Sequence, residues 1–467
     1  MSEGLMNNTR LAVLALLTSG FCAATTSAQQ PADAVFYRDA VYFSLDKLAS
    51  HLNATVSLLP QARDIRFKTK TQEWEFVNGG QRLKLPSGTL QDMKQVLLVL
   101  DGKHYVPLQE CAAAFGYQVR PEKKRPNPRL VMIIGKDEHA FQPSPIGSPY
   151  HRHKVEGFEA VHEFVSVTEP LRGLRTLHRK EDVCEIAAGS TLLIRRKLKF
   201  DGEPIVVASD CGPSLDSFLI PEKELRGKTK AGAGTDTAWS RYRKWFVEEA
   251  RKDASALRRG DPKHLTKSTA LTIDLCWSLR RFETKLFQSL KDVAKDSKKK
   301  IHPVLFVSGR WLEQHPLEMH ELVEMSRLPN IEVIWGHHSW EHPKSGGFMN
   351  DFTPPRLRED TFRLERLFLE WGIAPTVYYR FPGLIHDRVR LAEIIDLDLF
   401  PIDCDSWLAL VKQKDKGPFY NRVRDGGIIL IHGNGNEPAG IPAFQRWLDD
   451  HRDWDLGHLN QFFPPKK

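Results

Sequence analysis

Several residues in the second half of this chain have the types and placement that metal-assisted hydrolysis needs. His338 and His342 stand four apart in Gly336-His337-His338-Ser339-Trp340-Glu341-His342, directly after the apolar run Ile331-Glu332-Val333-Ile334-Trp335. In a helical turn this spacing puts both imidazoles on one face, where they can grip a single cation. The pair alone is weak, because a chain with 18 histidines produces such spacing by chance. Its company gives it weight. Asp274 ends the run Ala270-Leu271-Thr272-Ile273, and Arg380 follows Val377-Tyr378-Tyr379 and opens Arg380-Phe381-Pro382. Asp403 and Asp405 follow Leu399-Phe400-Pro401-Ile402, and His432 ends Ile428-Ile429-Leu430-Ile431. A polar residue at the end of each of several apolar runs is how an α/β barrel builds a site.

The elements that must hold these residues alternate. From Ser268 onward short apolar runs of strand type, including Val304-Leu305-Phe306-Val307, are separated by stretches of helical period. The expected fold class is α/β, with residues 268 to 460 forming a parallel sheet closed into a distorted (β/α) barrel. The site then lies at the carboxyl ends of the strands.

Residues 268 to 460 resemble the polysaccharide deacetylase domain (NodB homology, carbohydrate esterase family four). Leu271-Thr272-Ile273-Asp274 stands for the first motif of that family, His338-Ser339-Trp340-Glu341-His342 for the His-Ser/Thr-x-x-His motif, and Arg380-Phe381-Pro382 for the Arg-x-Pro motif. Asp403-Cys404-Asp405-Ser406-Trp407 matches the Asp-to-Trp motif, and Leu430-Ile431-His432 the Leu-x-His motif. The resemblance implies a divalent metal, Zn2+ first and Co2+ as a substitute, on His338 and His342. It makes Asp274 the base, oriented by Arg380, and His432 the acid that protonates the leaving amine, tuned by Asp403 or Asp405. Trp407 and Pro382 are the implied substrate contacts, with Trp407 walling the pocket against an acetyl methyl. The implied partner is an N-acetylated polysaccharide such as peptidoglycan or an exopolysaccharide.

The chain departs from the family pattern at two positions. Where the family usually has a second Asp as third metal ligand this chain has Leu275, and where it often has an acid before the Trp this chain has Ser406. Either Asp274 itself binds the metal, or Asp403, in preference to Cys276, or water completes the shell, or the metal is weakly held. A descendant that keeps the fold and binds wall glycan without turnover is the alternative reading.

The rest of the chain reads as export and accessory modules. Arg10, the apolar Leu11 to Leu17 and Thr26-Ser27-Ala28 form the pattern of a signal peptide over residues 1 to 28, which places the mature protein in the periplasm or outside the cell. No later segment is apolar enough to span a membrane. The net charge of +8 favours anionic surroundings, but no Lys/Arg stripe interleaved with aromatics is present, so nucleic acid is not an expected partner. The sequence carries no signal for an oligomeric state. Five cysteines follow the signal, of which Cys184 and Cys211 share one segment and could pair in an oxidising compartment.

Residues 35 to 136 hold two similar units. Val41 to Val56 and His104 to Val119 each read as strand, short helix, Asn or Gly stop, and strand. This stretch resembles the copper amine oxidase N-terminal-like (stalk) domain, a small α+β module, with no ligand cluster for copper. Residues 137 to 156 read as a Pro-rich linker, and residues 157 to 226 as a small β module, for which an SH3-like barrel is one closure. Residues 227 to 267 read as linker and helix, with Thr235 or Asp236 as cap and Trp239, Tyr242, Trp245 and Phe246 packing on the next domain.

Overall fold

The computed structural model describes residues 32–38, 40–61, 63–121, 129–145, 153–177, 183–296, 300–343, 352–407 and 423–464. The segment read as an export signal lies outside them. Among the described residues no helix is long and apolar enough to cross a membrane. The chain divides into two compact units: residues 1–149 with 278–282 and 313–321, and residues 150–277, 283–312 and 322–467.

The second unit carries the candidate site on an eight-stranded, all-parallel sheet. Its strands are β1 (Ser268–Leu275), β2 (Val304–Val307), β3 (Ile334–His337), β4 (Tyr378–Tyr379), β5 (Phe400–Pro401), β6 (Ser406–Trp407), β7 (Gly427–His432) and β8 (Asp455–Leu456). They run in the order β5-β4-β3-β2-β1-β7-β6, with β8 also paired to β1. The sheet is a curled half-barrel, with β5 and β6 as its edges. All eight positions of β1 and all four of β2 are buried, as expected of strands covered on both faces, and this is why β2 reads as a continuous apolar run and β1 as apolar residues mixed with small hydroxyls. Register sets the level of the site: Asp274 pairs with Phe306 on one side and His432 on the other, and His337 pairs with Val307 and Tyr379.

The residues expected as a small barrel form an antiparallel sheet of seven strands instead. Its order is Val183–Ile186, Leu171–Leu174, Ser217–Pro221, Glu203–Asp210, Thr191–Phe200, Val155–Val167 and Thr229–Ala231, with two edges rather than a closure of SH3-like type. It belongs to the same compact unit as the parallel sheet. A register shift between Ile194 and Arg196 places Arg195 as a bulge, so two successive guanidiniums reach the helix Pro354–Glu370. Arg196 donates to both Glu365 oxygens at 2.6 and 3.1 Å, Arg195 lies 3.6 Å from the same carboxylate, and all three side chains are buried. Burial pushes the Glu365 carboxyl up, but the arginines and His337 outweigh it and hold it at about 2.

The helix Ala238–Asp253 is capped by Thr237, whose hydroxyl accepts from Ser240 N, rather than by Thr235 or Asp236. Its Trp239 and Phe246 rings lie 4.7 and 5.0 Å from Phe400, so these aromatics pack on the parallel sheet as expected.

The first unit has the duplicated order read from sequence. Strand Ala40–Ser44 leads into helix Leu45–His51 and strand Thr55–Leu58, and strand Lys103–Pro107 into helix Leu108–Phe115 and strand Tyr117–Pro121. The two leading strands pair antiparallel, Phe43 opposite Val106. Asn53 and Gly116 take the left-handed conformation that stops each helix. The segment expected as a linker contributes Asp137–Phe141 to a three-stranded sheet and Ser144–Pro145 beside Ala34–Tyr37, because its alternating residues extend pairing that the sheet already offers. Cys184 and Cys211 are not joined to one another by a disulfide.

Candidate metal centre

Asp274, the next-to-last residue of β1, is almost fully buried, and one of its carboxylate oxygens accepts from Arg380 Nη1 at 2.8 Å. Arg380 is itself fully buried, and its remaining donors are taken by Thr272 Oγ1 (2.6 Å), the Ile402 carbonyl (3.2 Å) and the Asp403 carbonyl (2.8 Å). A guanidinium held at four points cannot swing, so it fixes the rotamer of the Asp274 carboxylate. The other oxygen, Oδ2, lies 3.6 Å from His338 Nε2. His338 Nδ1 is 2.9 Å from the Arg380 carbonyl. A carbonyl only accepts, so Nδ1 carries the proton and the Nε2 lone pair faces the site.

The two histidines do not converge through a helical turn. Residues 338 to 343 have no helix, and Ser339 (φ 63°) and His342 (φ 44°) both adopt the left-handed conformation. These two reversals fold the loop back so that His342 Nε2 comes within 3.1 Å of His338 Nε2. Left-handed backbone is costly for residues with a Cβ and persists only where surroundings enforce it. Here Asp360 accepts from Trp340 N at 2.7 Å and Glu341 N at 2.8 Å, and Ser339 Oγ accepts from His342 N at 3.0 Å. Burial raises the Asp360 carboxyl to about 6 against the pull of those N–H groups. The Trp340 ring fills space left by Gly309, where a Cβ would meet it at 2.1 Å, and it carries the Arg310 guanidinium on its face.

Two overlapping groups of ligand atoms lie at this strand edge, each with all its atoms within 4.8 Å of one another: Cys276, His338 and His342, and Asp274, Cys276 and His432. The Cys276 sulfur is 3.4 Å from His338 Nε2, and its backbone carbonyl accepts from the buried Asn434 Nδ2 at 2.8 Å. Burial alone would raise the Cys276 thiol, yet the imidazoles of His342, His432 and His338 together hold it well below its ordinary value. Nitrogen, sulfur and carboxylate donors converging at one buried point fit a divalent transition metal. Leu275, between Asp274 and Cys276, is fully buried and offers no ligand.

His432 lies opposite Asp274, and its carboxylate neighbour is Glu437, with Oε2 2.8 Å from Nδ1. This corrects the expectation that Asp403 or Asp405 tunes it. Asp403 faces His386 Nε2 at 3.1 Å and Arg258 Nε at 3.4 Å, while Asp405 is turned back to accept from Ile428 N at 2.9 Å. Asp405 therefore sits beside Ile428 at the start of β7, four residues before His432, while Asp403 supplies its backbone carbonyl to Arg380 and belongs to neither ligand group. Pro382 is buried in a short 3-10 turn, Pro382–Leu384, where it shapes the backbone after Arg380 rather than presenting a surface. Trp407 lies on β6, but its side chain is outside the described residues, as are residues 344–351 and 408–422.

The structure thus brings together Asp274, His338, His342, Arg380 and His432. Sequence reasoning missed Glu437, Asp360 and Asn434. The only signal for Glu437 was its place five residues after His432.

Residues 24–129 match the family described as copper amine oxidase N-terminal domain. Solved structures similar to this chain include carbohydrate esterase family 4 proteins, at low identity and partial coverage. A family 4 carbohydrate esterase from Bacillus anthracis is 20% identical over 47% of this chain and 91% of its own, with a TM-score of 0.35. PdaA of Bacillus subtilis, of the same family, is 18% identical over 48% and 86%, TM-score 0.35. A pseudoenzyme of that family from Bacillus anthracis is 16% identical over 45% and 69%, TM-score 0.35.

Proposed function

We propose that this chain is an exported, metal-dependent deacetylase that hydrolyses the N-acetyl amide of an amino-sugar polymer such as peptidoglycan or an exopolysaccharide. The observation that carries this reading is the meeting of Asp274, His338, His342 and His432 at the carboxyl edge of one parallel sheet, with Arg380 bonded to Asp274 at 2.8 Å. His338 and His342 would hold the cation, zinc by preference and cobalt as a substitute. When bound, such an ion polarises an amide carbonyl and lowers the pKa of water.

The chain's own residues supply the proton movements. Asp274 Oδ2, its partner oxygen fixed by Arg380, takes a proton from the attacking water. His432, backed by Glu437, gives a proton to the departing amine nitrogen, which leaves as the free amine while acetate is released. Trp407 is assigned the wall against the acetyl methyl by its motif.

A second reading, glycan binding without turnover, is favoured by one observation: Leu275 stands fully buried where the family's acid is missing. Acetate release from N-acetylated glycan oligomers or peptidoglycan separates the two. The enzyme reading expects release that a chelator abolishes and zinc or cobalt restores. Glycan binding with no release under any metal would favour the second.

A further inference from the structure

We infer that Cys276 is the third protein ligand of the metal, giving a Cys-His-His site in which a thiolate replaces the carboxylate lost at position 275. The inference rests on the metal-centre reading above and concerns which atoms hold the ion and which ion they choose.

Strand geometry explains why position 276 takes over. Successive side chains along a strand point to opposite faces. Leu275 therefore turns away from Asp274 into the core, where its Cδ2 lies beside the backbone at Gly433. Cys276, the first residue past β1, brings its sulfur back to the Asp274 side, within 4.8 Å of that carboxylate. Its backbone is pinned there by the buried Asn434, 2.8 Å from its carbonyl.

The donor separations match a tetrahedral ion. With Zn–S of about 2.3 Å and Zn–N of about 2.0 to 2.1 Å, tetrahedral angles place sulfur about 3.6 Å from nitrogen and the two nitrogens about 3.4 Å apart. In the structure Cys276 Sγ is 3.4 Å from His338 Nε2, the two Nε2 atoms are 3.1 Å apart, and all three donors lie within 4.8 Å of one another. Both separations fall a few tenths of an ångström short of the tetrahedral values, so a small expansion of the cluster would seat the ion. A cysteine used only for packing would sit among aliphatic groups, whereas this thiol, 6% exposed, sits beside histidine nitrogens.

The division of labour follows. With Cys276 as ligand, Asp274 keeps one oxygen on Arg380 and the other free as base. A thiolate selects zinc or cobalt over magnesium or manganese.

Cobalt spectroscopy of the full-length chain tests this without relying on turnover. Stripped of metal and titrated with Co(II), the wild type is expected to show tetrahedral visible bands and a near-ultraviolet thiolate-to-cobalt charge-transfer band. Cys276→Ser should lose the charge-transfer band and bind cobalt and zinc about 10- to 100-fold more weakly. Cys276→Asp should recover tight binding without the band, and His338→Ala should lose both. Stoichiometric cobalt in the wild type with no charge-transfer band would overturn the inference and leave the deacetylase reading standing on Asp274 as ligand. Failure of the wild type to bind cobalt or zinc would overturn both. The wild-type spectrum decides even if a variant does not fold.

Discussion

The backbone carbonyl of Arg380 accepts from His338 Nδ1 at 2.9 Å while the guanidinium of the same residue donates to Asp274 at 2.8 Å. One residue thus fixes the tautomer of His338 through its main chain and the direction of the Asp274 carboxylate through its side chain. Only the second task depends on the side chain. Arg380→Lys keeps the buried charge but not the four-point grip, so acetate release is expected to fall about 10- to 100-fold, mainly in kcat, with metal content unchanged. Metal analysis beside steady-state kinetics checks this.

Glu437 is the carboxylate beside His432 Nδ1, at 2.8 Å. Glu437→Gln removes the charge that backs the imidazolium while leaving the ligand groups in place. A drop in kcat of about 10- to 100-fold with KM little changed is expected, within the usual range for general acid catalysis. A rise in KM alone would assign Glu437 to substrate binding.

Asp360 holds the loop that carries both histidines, through N–H groups of Trp340 and Glu341. Its folded pKa of about 6 exceeds the ordinary 3.8. The folded state therefore takes up this proton first, so the stability linked to Asp360 is complete below pH 4 and lost as pH rises through 6, on the order of 3 kcal/mol. In Asp360→Asn that slope should vanish, as denaturant titrations between pH 4 and 7 would show. Asp360→Ala, which strands two buried N–H groups, should weaken zinc binding and destabilise by about 2 to 6 kcal/mol.

Glu365 acts with the opposite sign. Its folded carboxyl is depressed from 4.5 to about 2 by Arg196, Arg195 and His337 against the cost of burial. Its contribution is present above pH 4.5 and lost as pH falls toward 2. Glu365→Gln leaves two buried guanidiniums without their carboxylate and is expected to cost about 3 to 5 kcal/mol at neutral pH. Equilibrium unfolding of the variant and of wild type checks both statements.

The strand ends were legible in sequence because β2 and β7 are buried on both faces and so appear as unbroken apolar runs, closed by Gly309 two residues on and by His432, while β1 mixes apolar residues with threonines and carries Asp274 at its next-to-last position. The meeting of His338 and His342 was legible, but its cause was not. Spacing pointed to a helical turn, whereas left-handed backbone at Ser339 and His342 does the work, a choice imposed by Asp360 from a helix 20 residues away. Glu437 was hidden because a loop return after β7, not any periodicity, brings it to His432. The antiparallel sheet of the middle segment was read correctly as β, but its open form depends on pairing order. The Arg195–Arg196–Glu365 cluster arises from a bulge, which leaves no mark in the pattern of residues.

The proposed reaction is hydrolysis of an N-acetyl group by two imidazoles and one carboxylate at this strand edge with a bound divalent ion. Its most direct test is acetate release from N-acetylglucosamine oligomers and peptidoglycan by metal-stripped full-length protein, before and after zinc is added, for wild type and His338→Ala. The account predicts release by the wild type only when zinc is restored, and loss of at least about 100-fold in the variant at the same zinc concentration. Zinc-dependent release at the wild-type rate from His338→Ala would contradict it.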